Sequence, residues 1–181
     1  GQGAGAPVTS EIAPILDTAP AVTSATLDPP EGDQTTLFTC IPGDASDVDS
    51  DAVTLNYVWF VNDEALPGTT SHTSEAITLV KGDSLRCDIV PVADDVEGIA
   101  VSSNTVEIGN AAPAAGPVIM SPNPATELSI ITCMVGQSTD PDDDNLALLY
   151  IWTVNGEVVE GQTGNTLDGA HFGKGDQVLC E

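Results

Sequence analysis

Val53-Thr-Leu-Asn-Tyr-Val-Trp-Phe-Val61 and Leu146-Ala-Leu-Leu-Tyr-Ile-Trp-Thr-Val154 are two copies of one segment. In the first, Val53, Leu55, Tyr57, Trp59 and Val61 alternate with other residues, and in the second Leu146, Leu148, Tyr150, Trp152 and Val154 do the same. Alternation with period two places one set on a single face of a strand, because successive side chains of an extended chain point to opposite sides. Tyr57, Trp59, Tyr150 and Trp152 are therefore expected in the core. The spacing extends outward from the tryptophans. Cys40, Cys87 and Val8 recur at Cys133, Cys180 and Val101, each 93 positions on (133 − 40, 180 − 87, 101 − 8), as does Trp59 at Trp152. A period that holds without a gap signals tandem copies of one folding unit.

The frame is out of phase with the 181 residues. Val8 to Pro20 aligns with Val101 to Pro113, the end of a unit. The expected organisation is a terminal strand of a preceding repeat over residues 1–19, a complete domain over 20–110, and a second domain over 111–181 that lacks its last strands. The chain then reads as a window on a longer array. The linkers Asp17 to Pro20 and Asn110 to Pro117 are rich in proline and alanine, which restrict the backbone more than a Gly/Ser tether does.

Other strand candidates are Val22 to Leu27, Thr35 to Ile41, Ala76 to Val80, Ser84 to Val92 and Val101 to Ile108. No segment has helical periodicity. The 13 prolines and 17 glycines cluster between the runs, as turns require. Six or seven strands per unit, with a cysteine on the second, a tryptophan on the third and a cysteine on the sixth, describe an all-β fold of tandem immunoglobulin-like β-sandwich domains. The two pairs Cys40/Cys87 and Cys133/Cys180 have the same separation of 47 (87 − 40 and 180 − 133), which predicts one disulfide per domain and an oxidising, extracellular or cell-surface compartment. The position two before the second cysteine holds Leu85 or Val178, so the tyrosine corner of antibody domains is missing.

Three basic residues stand against 28 acidic ones, for a net charge of −25. Such a surface repels nucleic acid and anionic membranes and attracts divalent cations. Asp47, Asp49 and Asp51 precede one tryptophan strand, and Asp140, Asp142 and Asp144 precede the other in the same frame. Alternate carboxylates in a loop are candidate calcium ligands, with Asp94 and Asp95 able to add to the first set. The competing reading is a solvated turn in which the aspartates satisfy backbone amides. Lys81-Gly82-Asp83 and Lys174-Gly175-Asp176 read as turns. His72 and His171 do not share a register, and no serine elbow, phosphate loop or paired-cysteine metal motif accompanies them, so no enzyme is expected. Val58, Phe60, Leu149 and Ile151 point away from the core face, which makes them candidate lateral contacts between copies.

The Asp-x-Asp-x-Asp ladder, Tyr57-Val-Trp59-Phe-Val61-Asn62, Tyr150-Ile-Trp152-Thr-Val154-Asn155-Gly156 and the Gly-Asp before each second cysteine resemble the tandem immunoglobulin-like or PKD-like repeats of large bacterial and archaeal surface proteins. The resemblance implies an extracellular stalk, fibre or filament, often rigidified by calcium, whose partners are neighbouring copies of the same repeat. A calcium-dependent adhesin or carbohydrate- or protein-binding module is the second expectation. A pilus-like subunit that polymerises by donating its N-terminal strand, Val8 to Ile15, is the third.

Overall fold

The structure, a computed structural model, describes residues 5–181, so Gly1 to Ala4 of the expected 1–19 segment lie outside it. Every regular element among the described residues is a β-strand. The described residues divide into two compact units, the first of residues 5–32 and 36–108 and the second of 33–35 and 109–181.

In the first unit the tryptophan strand, Thr54–Val61, lies antiparallel to the long cysteine strand Ser84–Ala93 and pairs with it over its whole length, from Thr54 opposite Val92 to Val61 opposite Leu85. The cysteine strand alternates strictly between half-buried and buried positions, as a strand with one face on a core must. Its far edge carries Val101–Ser102 and Val106–Gly109, and a tight hairpin adds Val96–Glu97. Asp94 and Asp95 at that hairpin both have positive φ (43° and 65°), the twist that two-residue hairpins require and that aspartate tolerates. A separate sheet pairs Ala25–Asp28 with Thr39–Pro42. Leu27, Phe38 and Cys40 from this side meet Trp59, Leu85, Cys87, Ile89, Val106 and Ile108 from the other in one core. The Cys40–Cys87 disulfide joins the two sheets, and Trp59 is fully buried in the same core.

The second unit repeats this plan with a shorter ladder on its tryptophan strand. Val118–Ser121, Ile130–Val135 and Thr166–Asp168 form one sheet, and Glu157–Val158, Trp152–Val154 and Val178–Cys180 the other. Cys133–Cys180 joins them beside Trp152.

Several expected strands are shorter than the sequence reading. Val22 to Leu27 divides into Ala21–Val22 and Ala25–Asp28, and Val101 to Ile108 into Val101–Ser102 and Val106–Gly109. Thr35 to Ile41 narrows to Thr39–Pro42, because Asp33 turns the preceding residues by accepting hydrogen bonds from both the backbone and the hydroxyl of Thr35. Ala76 to Val80 is not a strand. It is anchored by single bonds, such as Val80 N–H to the Asp83 carboxylate at 2.9 Å, rather than by a ladder. In the second copy, Leu146 to Tyr150 is irregular and the strand begins at Trp152. Its partner Val178–Cys180 reaches only that far, and a strand without a ladder loses its backbone bonds.

Candidate functional site

The aspartate loops are built alike. In the first, one carboxylate oxygen of Asp47 accepts the N–H of Asp49 at 2.7 Å and that of Asp51 at 3.4 Å. In the second, Asp140 accepts from Asp142 at 2.8 Å and from Asp144 at 3.2 Å. The fourth residue of each loop, Ser50 or Asp143, has positive φ (69° and 57°), which curls the loop around the first carboxylate. The leading aspartate of each ladder therefore does what the solvated-turn reading requires of it.

The middle aspartate has a different task. Asp49 accepts the N–H of Thr18 at 2.8 Å, and Asp142 accepts that of Ala111 at 2.6 Å. Thr18 and Ala111 are themselves register equivalents (111 − 18 = 93), so each loop clips the segment that leads into its own unit. That bond was not legible in the sequence, although the common offset of residue and ladder was the signal.

Carboxylates gather around these clips. Asp17 is held above its ordinary value of 3.8, first by desolvation and then by the charge of Asp51 and a hydrogen bond to Asp49. Asp51 is raised above the same value chiefly by the charge of Asp94. Asp49 is lowered, chiefly by the Thr18 N–H. The signs follow from linkage. Asp17 and Asp51 contribute stability that is full below 3.8 and is lost as pH rises through their raised values, whereas the contribution of Asp49 is present above 3.8 and lost as pH falls through its lowered value. At neutral pH the first loop thus carries uncompensated repulsion. In the second loop Asp140, Asp142 and Asp144 bring one oxygen each within 4.8 Å of one another. One oxygen in each loop, Asp47 Oδ2 and Asp142 Oδ1, is shielded from solvent and has no hydrogen-bond donor.

The Lys-Gly-Asp motifs resolve as turn chemistry. Asp83 accepts from the side-chain amide of Asn62 at 2.7 Å, while the Asn62 carbonyl oxygen accepts the Ser84 N–H at 3.0 Å. Asp176 and Asn155 repeat the arrangement with Gln177, at 2.8 and 3.0 Å. Asn155 and then the Gly173 N–H hold Asp176 below the usual carboxylate range. Asn62 and Asn155 also sit at positive φ in the hairpins that follow the tryptophan strands.

The aromatic positions divide as their alternation predicts. Trp59 and Trp152 are fully buried, and their indole N–H groups donate to the carbonyls of Ser71 and Gly164 at 2.8 Å in both units. Tyr57 and Tyr150 are half-buried against the same cores. Of the outward residues, Val58 and Phe60 are half-buried, and the Arg86 guanidinium lies 4.0 Å above the Phe60 ring while also pairing with Asp88. Leu149 and Ile151 are exposed (85% and 48%), and only Val58 and Ile151 of the four share a register position. His72 is exposed, and His171 lies 3.8 Å from Asp168. No helix among the described residues is long and apolar enough to cross a membrane. The two disulfides fit an oxidising environment. Compared with known proteins, the chain matches no protein-family model and no curated sequence.

Proposed function

We propose that this chain is an extracellular structural element, in which tandem immunoglobulin-like sandwiches, each locked by a disulfide, form part of a cell-surface stalk, fibre or filament. The observation that carries the reading is the placement of the disulfides. Both units put the bond between their two sheets, at the same register, beside the buried tryptophan. A bond there limits how far a unit lengthens when its ends are pulled apart, since the 47-residue span between the cysteines stays closed. The acidic surface keeps such a chain soluble and separate from nucleic acid. Single-molecule pulling tests it. Each unit is expected to yield in a discrete force peak, and prior reduction should add roughly 160 Å of contour per unit, from about 3.4 Å for each residue released. Extension without force peaks would defeat the mechanical reading.

A second reading, a calcium-dependent module, draws on the loops. Hard oxygen donors converge in the second loop, and each loop holds a shielded oxygen without a donor, which suits a divalent cation. Asp140, Asp142 and Asp144 would hold it in the second unit, and Asp47, Asp49 and Asp51 with Asp17 in the first. Calcium would then supply at neutral pH the neutralisation that protons supply in acid. Melting at pH 7 with calcium and with chelator is the check. Asp51→Asn should raise the melting temperature in chelator and flatten its pH dependence, and Asp51→Asn with Asp144→Asn should erase the calcium increment. Equal melting with and without calcium removes the metal from the account.

A further inference from the structure

Both tryptophan strands end in the same hairpin, with one difference of chemistry. Val154 and Glu157 face each other across Asn155-Gly156, and Val61 and Glu64 across Asn62-Asp63. The two central residues of each turn have positive φ (52° and 86° in the second unit, 53° and 64° in the first), as type I′ two-residue hairpins require. Asn155-Gly156 is the one Asn-Gly step in the chain. A glycine after asparagine leaves its backbone nitrogen unshielded, and that nitrogen is the nucleophile that closes a five-membered imide on the asparagine carboxamide. Asn155 and Gly156 are both exposed, and a Cβ added at Gly156 would meet nothing within 4 Å. The Gly156 N–H makes no hydrogen bond among the described residues, so nothing covers the nucleophile.

The carboxamide, in contrast, is held at both ends. Asn155 Nδ2 donates to Asp176 at 2.8 Å, Asn155 Oδ1 accepts the Gln177 N–H at 3.0 Å, and the Asn155 N–H donates to the Gln177 carbonyl at 2.8 Å. This latch ties the hairpin to the residues that lead into Val178–Cys180. It needs an amide, because one end must donate to a carboxylate while the other accepts from an N–H. A carboxylate at position 155 keeps the acceptor and loses the donor. It also sets a second negative charge against Asp176, whose carboxyl the Asn155 amide holds below the usual range. An isoaspartate at position 155 lengthens the backbone as well, in a turn whose register allows two residues.

We infer that Asn155 is a spontaneous modification site, where deamidation opens the latch of the second unit while the first unit keeps its own. The Gly156 backbone nitrogen gives up its proton to base and attacks Asn155 Cγ. The bond from Cγ to the side-chain nitrogen breaks, that nitrogen takes up a proton and leaves as ammonia, and a succinimide remains. Water then opens the ring: addition at Cγ leaves aspartate, and addition at the backbone carbonyl leaves isoaspartate. No electrons are exchanged with an outside reagent. Attack requires the carboxamide to leave Asp176 and Gln177, so the reaction runs from the locally opened turn and its rate follows how often the latch releases. Asn62 makes the same bonds to Asp83 and Ser84, but Asp63 follows it, and a side chain there hinders the nucleophile.

The test incubates the full chain at mildly alkaline pH and follows the amide-to-acid mass increase at Asn155 and Asn62 by peptide mapping. Asn155 is expected to convert at least roughly tenfold faster than Asn62. Gly156→Asp, which copies the sequence of the first hairpin, should bring Asn155 down to the rate of Asn62. Asp176→Ala leaves the reacting groups in place and should speed the conversion severalfold by freeing the carboxamide. Asn155→Asp, the product supplied directly, should lower the melting temperature of the second unit by roughly 5 °C and leave that of the first unchanged. Conversion at Asn155 no faster than at Asn62 overturns the inference. So does an Asp176→Ala chain that converts no faster than the parent, or an Asn155→Asp chain whose second unit melts as before.

Discussion

Replacing Cys40 and Cys87 together by alanine is expected to destabilise the first unit by about 4 kcal/mol, the chain-entropy value for a closed loop of this length. The separation of the two cysteines is 47 residues, and both are buried between the sheets, so the pair removes a large part of the freedom of the unfolded chain. For a domain of this size the melting temperature should fall by roughly 15–30 °C. Differential scanning calorimetry on the whole chain is the appropriate measurement, because Cys133–Cys180 remains in place and serves as an internal reference. The transition of the first unit should move while that of the second does not. A shift smaller than about 4 °C would show that the sheets hold together without the bond. Substituting both cysteines matters, because a single substitution leaves a thiol free to exchange.

Trp152→Ala should unfold the second unit. Truncating a buried tryptophan costs about 3–5 kcal/mol, through lost transfer energy and the cavity left behind. The core of the second unit has little to offset this: its buried cluster is Ile131, Cys133, Trp152, Leu167 and Cys180, whereas the core cluster of the first unit holds eleven buried residues. The matching Trp59→Ala should weaken the first unit by a similar amount but leave it folded. The chain holds only two tryptophans, one in each unit, so in each variant the remaining indole reports on the other unit during urea unfolding. Trp152→Phe separates the contributions. It keeps most of the buried area and loses the hydrogen bond to Gly164, for a smaller cost of about 0.5–1.5 kcal/mol. If Trp152→Ala and Trp152→Phe unfolded alike, the hydrogen bond rather than the packing would hold the unit.

The core and its cross-links were legible because they depend on local alternation and spacing. Trp59, Trp152 and the four cysteines occur at period-two positions within strands, and a side chain two residues from a buried one is itself on the buried face. Strand ends were less legible. Ala76 to Val80 has the apolar content of a strand but is held by the Asp83 carboxylate, and Leu146 to Tyr150 has the alternation of a strand but lacks a ladder beyond Ile151 and Glu181. In both cases pairing with a partner, which single-strand patterning does not encode, decided the outcome. The aspartate ladders were visible as ladders. That their middle members grip Thr18 and Ala111 was not, since a side-chain bond across 31 residues depends on how the chain returns.

The sequence by itself determined the repeat, the all-β class, the buried tryptophans and the disulfide partners, because a constant offset of 93 positions forces equivalent residues into equivalent environments. Only the tertiary structure decided what the aspartate side chains hold. Asp49 and Asp142 accept the N–H groups of Thr18 and Ala111, each 31 residues away, although both ladders read as local turns. The physical reason is that alternation specifies which face of a strand is apolar, whereas a bond between distant segments depends on how the chain returns.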